Sequence, residues 1–74
     1  MDKENLLLFG QHLRKIRKEK NLSQVALADK GSFDRNYIGM LERGERNPSL
    51  LNLIRLAQAL EISLSELIDF EKKS

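Results

Sequence analysis

Residues 22–44 read Leu22-Ser23-Gln24-Val25-Ala26-Leu27-Ala28-Asp29-Lys30-Gly31-Ser32-Phe33-Asp34-Arg35-Asn36-Tyr37-Ile38-Gly39-Met40-Leu41-Glu42-Arg43-Gly44. Ser23 is a good N-cap for a short helix over about 23–30, with Leu27 and Ala28 facing inward. Gly31-Ser32 breaks it. Asp34 suits the positive end of a second helix over about 34–43, because a carboxylate there meets free amides. Tyr37, Ile38 and Leu41 make its inward stripe, Arg35, Asn36, Gly39, Met40 and Arg43 fall on the other side, and Gly44 ends it. A small Ala28 and a permissive turn let the two helices cross closely and brace one another. The second helix then carries a polar face on a rigid support.

Outward from this unit the pattern stays helical. Leu6, Phe9, Leu13 and Ile16 recur at three- and four-residue spacing, which predicts a first helix over about 5–20, and Asn21 can take the left-handed conformation that closes it. After the turn Glu45-Arg46-Asn47, Pro48 suits the start of a fourth helix over about 49–60. Leu50, Leu53, Ile54, Ala57 and Leu60 form its stripe, and Leu51 and Leu56 widen it until the helix wants two neighbours. Ser63-Leu64-Ser65-Glu66 fits a capping box for a fifth helix over about 63–70, with Leu64, Leu67 and Ile68 inward. Residues 71–74 are expected to fray. Aromatic residues are only 5% of the chain and no strand-like alternation is present, so the class is all-α.

The 74 residues suffice for one domain, 1–74, and for a modest core that oligomerisation would reinforce. No cysteine is present, which removes disulfides and cysteine-based zinc sites and suits a cytoplasmic location. No stretch approaches a membrane span, and Met1-Asp2-Lys3-Glu4 does not read as a signal peptide. Net charge is only +2, but residues 1–47 hold ten Lys/Arg against seven Asp/Glu, and residues 48–74 three against four. A polyanion would meet the N-terminal two-thirds. His12 stands alone with no ligand spacing and reads as a surface histidine. No nucleophile–base–orienter set, paired catalytic carboxylates or glycine-rich phosphate loop is visible, so the chain reads as a non-enzyme without metal, cofactor or small-molecule ligand.

The joint spacing of Gln24, Leu27-Ala28, Ile38, Glu42-Arg43-Gly44 and Asn47-Pro48-Ser49 resembles the Cro/repressor-type (XRE) helix-turn-helix family over about residues 6–68. Asp34-Arg35-Asn36-Tyr37-Ile38 followed by Glu42-Arg43-Gly44-Glu45-Arg46-Asn47 is similar to the controller proteins of restriction–modification systems. Prophage or differentiation repressors share much of the same pattern. The resemblance implies a compact five-helix domain with its helix-turn-helix at about 23–43 and helices for dimerisation at about 49–70. It departs from the family at Gly31-Ser32, where the usual glycine and small residue are exchanged, and at Gly39, often a serine.

The resemblance implies a regulator that binds double-stranded operator DNA as a homodimer and blocks or recruits RNA polymerase. Arg35 is the first candidate base reader, since a guanidinium can bond guanine O6 and N7 together. Asn36 reads adenine or holds phosphate. Gln24 contacts phosphate or buttresses the second helix of the motif, and Ser23 caps. Arg43, Arg46 and Asn47 are expected phosphate clamps. Tyr37 reads as core with a hydroxyl that could reach phosphate, and Met40 touches a thymine methyl or sits in solvent. Arg14, Lys15 and Lys18 supply diffuse charge. In relatives, residues matching Arg17 and Glu42 form a partly buried ion pair, expected here too. Leu51, Leu56, Leu64, Ile68 and Phe70 are the expected dimer seam. The reading from another class is a protein-interaction module or antitoxin, with the broad apolar face against a partner.

Overall fold

A computed structural model describes residues 1–71. Its elements are α1 (Lys3–Glu19), α2 (Gln24–Gly31), α3 (Tyr37–Glu42), α4 (Leu50–Leu60) and α5 (Leu64–Leu67). Among the described residues there is no strand. Side-chain oxygens of Asp2, Ser23, Ser49 and Ser63 each accept from an amide three residues on, which satisfies donors a helix start leaves unpaired. Ser63 and Glu66 complete the capping box. Asn21, Ser32 and Glu61 take φ of 58°, and Gly44 takes 74°, so the chain reverses through left-handed residues after each of the first four helices.

Fully buried Phe9, Leu13, Leu27, Ala28, Ile38, Leu41, Leu56 and Leu67, with Leu60, centre the core. α1 packs on α3, while α2 packs on both α3 and α4. Gly10 lets α1 approach α3: a Cβ there would stand 2.5 Å from the Glu42 carbonyl oxygen and 2.6 Å from that of Leu41. Phe70 packs against the core with its ring 5.6 Å from Phe9 and 6.2 Å from His12.

Five expectations change. α3 begins at Tyr37 rather than at Asp34: the Asp34 carboxylate accepts from the Asn36 amide at 2.9 Å and its carbonyl from Tyr37 at 3.0 Å, a turn that feeds the helix. α5 spans Leu64–Leu67, short of the expected 63–70. Leu50 lies 66% exposed rather than in the α4 stripe, and Leu56, expected at a seam, is wholly buried. An α4 with apolar residues on so much of its circumference does not reveal by periodicity which of them meet the core. His12 is half-buried, with Nε2 2.8 Å from the Glu66 carbonyl oxygen, so it joins α1 to the α5 segment instead of standing at the surface.

Candidate nucleic-acid interface

α2 and α3 are held at one end by a polar clamp. Arg17 Nε donates to Glu42 Oε2 at 2.6 Å and Arg17 Nη2 to Glu42 Oε1 at 3.0 Å. Arg17 Nη1 donates to the Leu22 carbonyl at 2.8 Å, at the start of the motif. Gln24 Nε2 donates to Glu42 Oε1 at 3.1 Å. Glu42 thus joins α1, α2 and α3. The hydrogen bond to Glu42 raises the Arg17 pKa further above its ordinary value against the opposing effect of burial. The pair expected from the sequence is present, and Gln24 takes the buttressing one of its two expected roles.

Gly39 departs from its expected outward position. It is buried, and a Cβ there would lie 3.1 Å from Arg43 Nη1 and 3.3 Å from Gln24 Oε1. Those two side chains roof the middle of α3. Met40, next to Gly39 in the chain, is half-buried.

The exposed surface is therefore concentrated at the ends of α3. At the leading end, Arg35 and Asn36 are exposed, and neither side chain has a hydrogen bond or ion pair among the described residues. Ser23 is exposed but its hydroxyl already accepts from the Ala26 amide at 3.0 Å. Asp34 is engaged in its turn. At the trailing end, Arg43 Nε meets Glu45 Oε2 at 2.8 Å with both side chains more than half exposed. That hydrogen bond holds the Glu45 carboxyl below its ordinary range and raises Arg43. Arg46 and Asn47 are exposed in the turn that follows.

Tyr37 is half-buried, with its ring stacked on Phe33 at 5.1 Å and its hydroxyl accepting from Asn52 Nδ2 at 3.0 Å. Asn52 and its neighbour Arg55 were not singled out in the sequence. The available signal was that Arg55 is the lone charge in Leu50–Leu60. Of the five seam candidates, Leu51 is 66% and Ile68 44% exposed, Leu64 and Phe70 are partly buried against the core, and Leu56 is inside it. Among the described residues, no group of three or more His, Asp or Glu could hold a metal ion, and no helix is long and apolar enough to cross a membrane.

Comparison with known proteins places these features in company. The helix-turn-helix family matches residues 13–67. The chain is 48% identical over 67 residues to the control protein C.MunI of Mycoplasma sp, spanning 88% of this chain and 90% of that one. The crystal structure of the restriction-modification controller protein C.AhdI from Aeromonas hydrophila is 50% identical, with a TM-score of 0.84 over 86% of this chain and 97% of that one. SinR, a master regulator for biofilm formation crystallised in complex with DNA, superimposes with a TM-score of 0.76 at 34% identity over 82% of this chain and 98% of that one.

Proposed function

The chain belongs to the Cro/repressor-type (XRE) helix-turn-helix family, and we propose that it is a sequence-specific DNA-binding regulator of transcription that acts as a homodimer on a palindromic operator. The observation that carries this reading is the contrast between the two ends of one helix assembly. The trailing end is fixed by Arg17, Glu42 and Gln24, while Arg35 and Asn36 stand exposed at the leading end. A helix with this presentation enters the major groove of B-DNA with its N-terminal side chains against base edges.

Arg35 bonds guanine through both O6 and N7, and Asn36 contacts adenine or the adjoining phosphate. Arg43, Arg46 and Asn47 line the groove walls and hold phosphates, which fixes register without reading sequence, while Gln24 buttresses α3 through Glu42. Tyr37 places its hydroxyl at the groove edge. Ser23 and Asp34 serve by fixing the local backbone. Gly39 contributes by its lack of a side chain beneath Gln24 and Arg43, and Met40 offers its partly open edge to a thymine methyl.

One such helix covers only a few base pairs. Two-fold pairing through Leu51 and Ile68, flanked by Leu64 and Phe70, would place two helices about 34 Å apart, one turn of DNA. Control then comes from protein concentration, with the dimer blocking or recruiting RNA polymerase at a nearby promoter in the cytoplasm. Similarity to C.MunI and C.AhdI favours a controller of a restriction–modification operon over a stand-alone repressor. An endonuclease and a methyltransferase gene beside this one would support that choice, and their absence would oppose it.

A gel shift with a duplex from the gene's own upstream region, against a scrambled duplex of equal length, tests the reading. Retardation of the first at protein concentrations that leave the second free supports it. Equal behaviour of the two, even at low salt, overturns it and favours a protein-interaction module.

A further inference from the structure

We infer that Arg55 is a positioning residue for DNA reading, acting from α4 on the turn of the motif and on the first residue of α3. This rests on the DNA-binding reading above. Arg55 Nη2 donates to the carbonyls of Gly31 at 2.7 Å and Ser32 at 2.8 Å. These are the end of α2 and the left-handed residue that follows it, where unpaired carbonyls and the helix dipole favour a cation. The guanidinium also lies 4.3 Å above the Phe33 ring centroid, within reach of a cation–π attraction. Arg55 Nη1 donates to Asn52 Oδ1 at 3.2 Å, and Asn52 Nδ2 donates to the Tyr37 hydroxyl at 3.0 Å. Phe33 and Tyr37 stack on each other at 5.1 Å with planes 26° apart.

The network is a closed loop. It runs from Arg55 through Phe33 to Tyr37, and back through Asn52. It ties the turn between α2 and α3 to α4, with Phe33 and Tyr37 packed against the edge of the apolar core. Tyr37 directly follows Arg35 and Asn36 in the chain, so a displaced turn displaces the residues that would face the bases. The Tyr37 hydroxyl accepts from Asn52, which leaves its own proton free to donate. Leu51 precedes Arg55 by four residues, one turn of the same helix, so the strut also ties the proposed dimer face to the reading helix.

Lysine cannot replace this arginine. An ammonium retains the charge but lacks the planar fork that serves two carbonyls, an amide oxygen and a ring at once. Arg55→Lys therefore separates positioning from charge. With wild-type protein as reference, binding of the upstream and scrambled duplexes is measured by fluorescence anisotropy, and folding by thermal melting. The expected result is a fall of about tenfold in affinity for the upstream duplex, the order of one bidentate base contact. Affinity for the scrambled duplex stays within about twofold, because counterion release depends on retained charge.

Asn52→Ala cuts the link to Tyr37 while sparing the bonds to the turn, and is expected to show the same selective loss, several-fold in size. It decides the matter if Arg55→Lys does not fold. Unchanged preference in the folded variant, or equal loss on both duplexes, overturns the assignment of Arg55. A wild-type protein that does not prefer the upstream duplex overturns the DNA-binding reading, and this inference with it.

Discussion

Arg17 and Glu42, 25 residues apart, meet through two side-chain bonds at 2.6 and 3.0 Å, with only 9% and 4% of their side chains exposed. Removing one partner leaves the other charge nearly buried and alone. Glu42→Ala or Arg17→Ala should each cost about 3 kcal/mol. Urea unfolding of both single variants and the double should give a coupling above about 1 kcal/mol. Additive losses would mean that the pair contributes packing only.

Gly10→Ala should destabilise although alanine is the better helix former by about 1 kcal/mol. The added Cβ meets the backbone of Glu42 and Leu41 at 2.5 and 2.6 Å, and backbone cannot rotate away. A net loss of about 1–3 kcal/mol is expected from overpacking, or a drop in Tm of at least about 4 °C for a domain of this size. A raised Tm would show that α1 and α3 can separate at no cost.

Arg35→Ala and Arg43→Ala should fail differently. The first is expected to lose about 1–3 kcal/mol on the upstream duplex and to relax preference at the base positions it reads. The second should weaken upstream and scrambled duplexes alike and lower the salt slope by about one. Titrations across a range of salt distinguish the two patterns.

Glu45 occupies Arg43 in the free protein. Glu45→Gln should release that guanidinium for phosphate and raise affinity for every sequence a few-fold, with a steeper salt dependence. Acidification acts in the same direction. The Glu45 carboxyl is held below its ordinary range by Arg43, so the pair persists at neutral pH and is lost as pH falls through the lowered value. Unchanged binding to scrambled DNA would remove Arg43 from the phosphate contacts.

Leu51→Lys and Leu56→Ala should separate seam from core. Leu51 is 66% exposed and Leu56 not at all. Leu56→Ala should lose about 2–5 kcal/mol of stability. Leu51→Lys should leave the monomer fold within about 0.5 kcal/mol but abolish dimer at micromolar concentration in sedimentation. A Leu51→Lys dimer would move the seam elsewhere.

What could be read in the sequence was what short-range chemistry determines. Ser23 and Ser63 announce their helices because a cap is decided within three residues, Pro48 announces the start of α4, and Gly44 announces the end of α3. Resemblance supplied Arg17–Glu42 across 25 residues, where periodicity alone could not. What escaped depends on how helices lie against each other. Leu50 and Leu56 exchange expected environments because an α4 rich in leucine has no unique apolar face. Gly39 lies beneath the side chains of Gln24 and Arg43, and Arg55 is informative only once α4 lies against Gly31 and Ser32.

The central claim, that two copies of the α3 face read one operator, is tested most directly by hydroxyl-radical footprinting of the gene's upstream region. The expected pattern is two protected patches related by a dyad, their centres about 34 Å or 10 base pairs apart, both lost with Arg35→Ala. A single unsymmetrical patch would contradict the dimer, and no protection at protein concentrations that saturate the gel shift would contradict specific reading of DNA.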